Sequence, residues 1–207
     1  MCDDRIVIVG FGGHGKSVAD AILRQGKYRL AGFTDMSFKE PYIGYPYLGR
    51  DDVLEDLFQQ GITNAFIGIG YMGNGTVRDR LYDMVLKIGY KVPCIVDPSA
   101  VVSDSVLLGS GVFVGKNAVV NADACVGAMC IINTGAIVEH ECRIGSFSHV
   151  AVGTTLCGNV TVGSHALVGA GATVIQGCHV GDGAIIGAGS MVLKDVEPGG
   201  KRCGLIK

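Results

Sequence analysis

Residues 98–133 read PSAVVS DSVLLG SGVFVG KNAVVN ADACVG AMCIIN, and the same six-residue period runs without a slip to Leu193. In the sixteen blocks that begin at Pro98, the fifth place is always aliphatic, from Val102 through Val138, Ile144 and Val150 to Val192. The third place is small or β-branched, as at Ala118, Cys130, Ala136, Cys142, Ser148 and Thr154. Glycine holds the sixth place in half of the blocks, Gly109, Gly127, Gly145 and Gly163 among them. A fixed period held this long marks a stacked solenoid, since helices recur at 3.6 residues and ordinary strands lose phase sooner. Each block predicts a short strand and a sharp turn. The fifth side chain points into a narrow core, and the third fits only if it is small. Glycine at the sixth place is expected to supply the positive φ of a corner. One coil cannot bury its own aliphatic row, so the coils stack and their side chains form ladders. The reading is a β-helix.

Composition narrows the functional classes. The formal charge is -2, and without a long basic run the chain lacks the phosphate-neutralising surface of a nucleic-acid binder. Mean hydropathy is +0.40, but apolar runs are too short to span a membrane. The N-terminus Met1-Cys2-Asp3-Asp4 lacks the basic and apolar regions of a secretory leader. Of the eight cysteines, Cys130, Cys142 and Cys178 fall on the small inward place, and none forms a CxxC pair. They read as small core residues in a reducing cytoplasm, with no zinc spacing.

Before the repeat the pattern alternates. Strands are predicted at Arg5–Val9, Leu30–Thr34, Ala65–Ile69 and Lys91–Val96, and helices at Ser17–Gln25, Asp51–Gln60 and Thr76–Ile88. Alternation of this kind implies a small parallel α/β sheet, a Rossmann-like domain over residues 1–96. Asp97-Pro98 then opens the second domain, 97–207. Gly10, Gly12 and Gly15 satisfy G-x-G-x-x-G after a strand, with Asp35 about twenty residues on. A nicotinamide cofactor with Asp35 on a ribose fits that fingerprint; so does any phosphate or sugar-nucleotide on amides at a helix N-terminus.

The joined motifs, Gly12-Gly13-His14-Gly15-Lys16 and Glu139-His140-Glu141-Cys142, resemble the hexapeptide-repeat sugar O-/N-acyltransferase family. That family includes the bacillosamine-pathway UDP-4-amino-sugar N-acetyltransferases and the sialic acid O-acetyltransferases. The similarity spans nearly the whole chain and is most specific over Val138–Val150. It implies a left-handed parallel β-helix of about eighteen residues per coil, a homotrimer with sites between neighbours, and acetyl transfer from acetyl-CoA without a metal. It also implies that the N-terminal lobe holds a nucleotide-linked amino sugar, with Gly12, Gly13, His14, Asp35 and Gly70 as its contacts.

By the same resemblance His140 is the general base, and residue chemistry agrees, because His titrates near the pH at which an amine must lose a proton. Glu141 would hold its tautomer. Neighbours on a flat strand point to opposite sides, so the pair is expected at a corner, with Glu139 as a competitor. His149 is implied as an acetyl-CoA contact and Asn133 as an amino-sugar contact. Gly158, eighteen residues after His140, should stack beside it and offer an N–H to the thioester oxygen. Ala170 and Ala188, in one column with Val152, form a candidate strip for the pantetheine arm. Lys201 and Arg202 are read as a tail that either meets CoA phosphates or is solvated. The leading reading is an N-acetyltransferase of a nucleotide-linked 4-amino-4,6-dideoxy sugar. A sialic-acid-type O-acetyltransferase, a non-catalytic sugar-nucleotide binder and an NAD-dependent enzyme are the rivals. Met36 stands where the family often has a second acid, which leaves the nucleotide open among UDP, dTDP and GDP.

Overall fold

The computed structural model describes residues 4–73 and 76–207. Met1–Asp3, on which the leader reading rests, lie outside the described residues. The chain divides into two compact units, residues 4–70 with 76–95 and residues 71–73 with 96–207.

The first unit alternates as the sequence predicts. Its elements are β1 (Arg5–Val9), α1 (Gly13–Gln25), β2 (Arg29–Thr34), β3 (Tyr47–Gly49), α2 (Leu54–Gln59), β4 (Asn64–Ile67) and α3 (Thr76–Ile88). The sheet is parallel in the order β3-β2-β1-β4. Central β1 carries a fully buried Ile6–Val9 run, and α1 lays Val18, Ala19, Ala21 and Ile22 into the core. Such a run is what a strand covered on both faces requires. Helix α1 begins at Gly13 and not at Ser17, because the glycine-rich turn winds directly into the helix. A Cβ on Gly15 would lie 2.7 Å from the Gly10 carbonyl, so glycine there lets α1 pack tightly on the turn. The three-residue β3 has no alternation to betray it in the sequence. The predicted final strand, Lys91–Val96, divides: Lys91 bridges Asn64 in the first sheet, whereas Ile95–Val96 joins the second unit's sheets. No described helix is long and apolar enough to cross a membrane.

The second unit is a left-handed parallel β-helix. Its two-residue strands fall on the fourth and fifth places of every block and stack into three sheets. Face one carries Ile95–Val96, Phe113–Val114, Ile131–Ile132, His149–Val150, Leu167–Val168, Ile185–Ile186 and Lys201–Arg202. Face two carries Val101–Val102, Val119–Val120, Ile137–Val138, Thr155–Leu156, Thr173–Val174, Met191–Val192 and Leu205–Ile206. Face three carries Leu107–Leu108, Cys125–Val126, Arg143–Ile144, Thr161–Val162 and His179–Val180. From Val112 onward the third-place and fifth-place residues are buried, as the ladders require.

The turns correct one expectation. Positive φ belongs to the second place of each block, from Gly111 to Gly189, and not to the sixth. The second-place N–H there donates to the first-place carbonyl one coil earlier, as from Gly171 to Val152 at 2.9 Å and from Glu141 to Ala122 at 2.9 Å. The sixth-place glycines serve close approach instead. A Cβ on Gly109 would sit 2.5 Å from the Ala128 N, and one on Gly127 would sit 2.6 Å from the Ser146 N. The tail is a last coil off the six-residue period. Lys201–Arg202 pairs with Ile185–Ile186 and Leu205–Ile206 with Met191–Val192, leaving both basic side chains exposed.

Candidate active site

His140 and Glu141 occupy the first two places of a block, on the edge where face two turns into face three. Glu141 has φ +61°, and this left-handed turn removes the alternation that would send neighbouring side chains apart. The imidazole Nδ1 lies 3.1 Å from the Glu141 carboxylate, and both side chains are more than half exposed. With Nδ1–H donated to the carboxylate, Nε2 is the nitrogen left to accept a proton. That edge of the ring lies over Gly158: a Cβ there would come within 2.5 Å of Cε1 and Nε2. The Asn159 N–H donates to the His140 carbonyl at 2.8 Å and ties the two coils. His140, Glu141 and Gly158 therefore form one local cluster.

The remaining prism candidates lie elsewhere. Ala170 and Ala188 are exposed on the edge between faces one and two, in a column with Val152. Their second-place neighbours are Gly153, Gly171 and Gly189, so from Val152 onward the first two places of this edge carry no long polar side chain, whereas Lys116 stands in an earlier coil. His149 sits on face one and is 7% exposed. Its Nδ1 is 2.8 Å from the Tyr71 carbonyl and its Nε2 is 3.1 Å from the Asn133 Nδ2. A carbonyl can only accept, so Nδ1 carries the hydrogen and Nε2 accepts from the Asn133 amide. The Asn133 Oδ1 takes the Thr134 N–H at 2.8 Å, consistent with that amide orientation. His149 and Asn133 are thus a linked pair, set apart from His140 on the fold.

In the first unit, Gly12 and Gly13 are exposed at the start of α1, whose N-cap has no side-chain hydrogen bond and whose first turn has no acid. The backbone amides of a helix start and the positive end of the helix dipole suit an anion there. They line a cleft of about 380 Å³ with Phe11, Lys16, Lys39, Glu40, Pro41 and Tyr42. His14 is half-buried in the first turn of α1 and faces Gly70, where a Cβ would come 3.6 Å from its own. Asp35 spends its carboxylate on the loop: Oδ2 accepts the Phe11 N–H at 3.0 Å, and Oδ1 accepts the Ser37 N–H at 3.1 Å and hydroxyl at 3.2 Å. Burial alone would raise its pKa, but these hydrogen bonds and Lys39 hold it below the usual carboxylate range. It fixes the turn beside the cleft.

The PglD N-terminal domain family matches residues 5–108, and the bacterial transferase hexapeptide (six repeats) family matches residues 159–194. The structure resembles GDP-perosamine N-acetyltransferase from Caulobacter crescentus in complex with CoA and GDP-perosamine, at 37% identity and TM-score 0.90, over 96% of this chain and 93% of that one. The chain belongs to the hexapeptide-repeat sugar acyltransferase family. A histidine-to-alanine variant of the Caulobacter enzyme is a further match, with TM-score 0.91. The acetyltransferase domain of PglB from Neisseria gonorrhoeae, in complex with acetyl coenzyme A, matches at 30% identity and TM-score 0.91, over 98% of this chain and 97% of that one. WeeI from Acinetobacter baumannii, at 22% identity, 96% coverage of both chains and TM-score 0.63, shares the fold. Comparison with curated protein sequences finds no match.

Within this acyltransferase Cys142 neighbours the His140–Glu141 pair but is unsuited as a nucleophile. It is buried, its thiol lies 3.2 Å from the Cys157 carbonyl, and burial pushes its pKa up to about 11. Cys125, Cys142, Cys157, Cys178 and Cys203 are free thiols, and the described residues contain no cluster suited to a metal. Sequence reasoning missed Tyr71, which precedes the repeat in the sequence yet belongs to the prism unit. It is buried, and its hydroxyl donates to the His165 carbonyl at 2.5 Å while its own carbonyl fixes His149. No periodic signal marks it. Asn121 was missed as well, although its place one coil before Glu139 was readable from the repeat.

Proposed function

We propose that this acyltransferase moves the acetyl group of acetyl-CoA onto the 4-amino group of a nucleotide-linked 4-amino-4,6-dideoxy sugar, with His140 as general base. The observation that carries the reading is the His140 ring, with Nδ1 engaged by Glu141 and the Nε2 edge over a residue without a side chain. The likeness to a GDP-perosamine N-acetyltransferase and to a domain that binds acetyl coenzyme A supports the choice of donor and acceptor.

In the reaction, the neutral amine attacks the thioester carbonyl carbon, forming the C–N bond and an oxyanion. The Gly158 N–H stabilises that oxyanion, and Nε2 takes the proton from the new ammonium. The C–S bond then breaks, and the proton held on His140 is delivered to the departing CoA sulfur. Glu141 keeps Nδ1 protonated and stabilises the imidazolium. Gly12, Gly13, His14 and Gly70 hold the nucleotide-sugar, and Asp35 serves the same site by fixing the Phe11 and Ser37 backbone beside it, with anion binding by α1 as the main attraction. Asn133 contacts the amino sugar, and His149, hydrogen-bonded to it, contacts acetyl-CoA. Ala170 and Ala188 line the pantetheine arm. They lie on a different edge from His140, so a second copy is needed to complete the site, and a homotrimer working in the cytoplasm supplies it.

The test is incubation of the protein with acetyl-CoA and a panel of UDP-, dTDP- and GDP-linked 4-amino sugars, following free thiol release. Release with one nucleotide-sugar supports N-acetylation and fixes the nucleotide. Silence across the panel with release on free sialic acids moves the reading to O-acetylation. Silence with both overturns it.

A further inference from the structure

On the edge that carries His140, the sixth-place column runs Ser103, Asn121, Glu139 and Cys157. Two of these residues are joined across coils: the Asn121 Nδ2 donates to the Glu139 Oε2 at 3.0 Å. The same oxygen accepts the His140 backbone N–H at 3.3 Å. His140 is therefore held from three directions. Its N–H meets Glu139, its carbonyl takes the Asn159 N–H, and the following residue, Glu141, donates its N–H to the Ala122 carbonyl one coil earlier. The two backbone bonds between coils recur at turn after turn of the prism, as from Gly171 to Val152. The carboxylate is the additional element at this turn. One oxygen accepting from two donors fixes the Glu139 rotamer, and that rotamer fixes the backbone on which the imidazole stands.

We propose that Asn121 and Glu139 are positioning residues for His140. Asn121 clamps the Glu139 carboxylate, and Glu139 acts as a hydrogen-bond acceptor that sets the His140 turn, so the ring stays over Gly158. The inference rests on the reading of His140 as the base. It separates the two acids that flank that histidine: Glu141 faces the ring nitrogen, Glu139 the backbone. A positioning role needs an acceptor and not a charge, which gives the pair a signature of its own.

Four variants decide it, assayed by thiol release with saturating sugar. Glu139→Ala is expected to lower kcat by about tenfold to a hundredfold, the scale of a misplaced catalytic group, with KM for acetyl-CoA nearly unchanged. Glu139→Gln keeps an acceptor oxygen and is expected to stay within about threefold of the parent enzyme, since a neutral acceptor still satisfies both donors. Asn121→Ala is expected to lose less than Glu139→Ala, and the double variant Asn121→Ala/Glu139→Ala to be no worse than Glu139→Ala alone, because the first residue acts through the second. Glu139→Gln as slow as Glu139→Ala, or full additivity in the double variant, overturns the proposal. Should the parent enzyme acetylate nothing in the panel, the functional reading has failed, and the positioning claim is then read from the His140 imidazole NMR signals. They are expected to broaden or double in Glu139→Ala and to keep the parent pattern in Glu139→Gln. A parent-like pattern in Glu139→Ala overturns it.

Discussion

Two edges of the same prism are built on the same turn and carry opposite chemistry. The edge between faces one and two becomes Gly and Ala as the repeat proceeds, through Gly153, Gly169, Ala170, Gly171, Gly187, Ala188 and Gly189. The edge between faces two and three carries Asn121, Asp123, Glu139, His140, Glu141 and Asn159. Backbone and register are alike on both, with left-handed second places and the same bonds between coils. The fold therefore supplies a scaffold whose corners are filled independently. A bare corner lets a long, flexible ligand lie against backbone; a polar corner holds a base. The two edges also treat charge differently. His140 and Glu141 are 51% and 64% exposed, whereas on the bare edge, at its first coil, the Asp97 carboxylate is fully buried 3.2 Å from Lys116.

The sharpest way to break the contrast is at the base. His140→Ala is expected to lower turnover by about two orders of magnitude or more, the usual scale for loss of a general base, with little change in CoA binding. Near-normal turnover, measured by thiol release, removes His140 from the mechanism. Next in size is a matched pair of substitutions. Gly158→Ala puts a Cβ where the His140 ring stands, so kcat is expected to fall by about tenfold to a hundredfold. Ala170→Leu on the bare edge is expected to raise KM for acetyl-CoA by about tenfold while kcat holds, the mark of lost uniform binding. If both variants change the same kinetic constant, the two edges do not divide base and donor between them.

How much of this contrast was legible in the sequence follows from where period dominates. The places of the hexapeptide are repeated physics, so the inward ladder of Ala136, Cys142 and Ser148 and the column linking His140 to Gly158 could be read off by counting. The local meaning of glycine could not. Sixth-place glycine answers contact with the next coil and second-place glycine answers φ, and a sequence shows both as one letter. Long-range partners outside the period were also hidden: Tyr71 reaches His149 across 78 residues of chain with no pattern to announce it. The tail was hidden because its last strands, at Lys201 and Leu205, fall off the six-residue count while still pairing with the sheets. In the first unit β1 and α3 were readable to the residue, but the hydrogen bonds of Asp35 to the loop were not. The carboxylate that a fingerprint assigns to a ribose is occupied by Phe11 and Ser37.

The buried charge offers a stability test that the exposed pair should fail. Asp97 accepts the Ser99 hydroxyl at 2.6 Å and N–H at 3.0 Å besides Lys116. Burial alone would raise its pKa, but the Ser99 and Lys116 bonds hold it below the ordinary range. A depressed folded pKa means that the stabilisation is present above the ordinary carboxylate value of about 4 and lost as the pH falls through the lower folded one. Asp97→Ala is expected to cost about 1–3 kcal/mol at neutral pH, read by denaturant unfolding, with kcat unchanged. The deficit against the parent should shrink in acid below that window. A constant deficit down to strong acid means that the carboxylate charge is not what holds the first coil.

The smallest expected change in stability is the most discriminating for the polar edge. Glu141 is neither Gly, Asn nor Asp, yet it sits at φ +61°, between Asp123 at +61° and Asn159 at +55° in the same column. Left-handed backbone costs an ordinary L-residue about 1 kcal/mol, while Asn, Asp and Gly reach it more readily. A glutamate here is therefore held against its local preference by the turn of the coil, as Met129, Phe147 and His165 are at the same place of their blocks. Glu141→Gly relieves the strain but gives the unfolded chain more freedom, two effects of similar size and opposite sign. Thermal stability is thus expected to stay within about 1 kcal/mol of the parent. Turnover should fall by about tenfold or more, because His140 loses the carboxylate on Nδ1. A large stability loss with preserved turnover would reverse the assignment, making Glu141 a structural residue and leaving the orientation of the base to the coil above it.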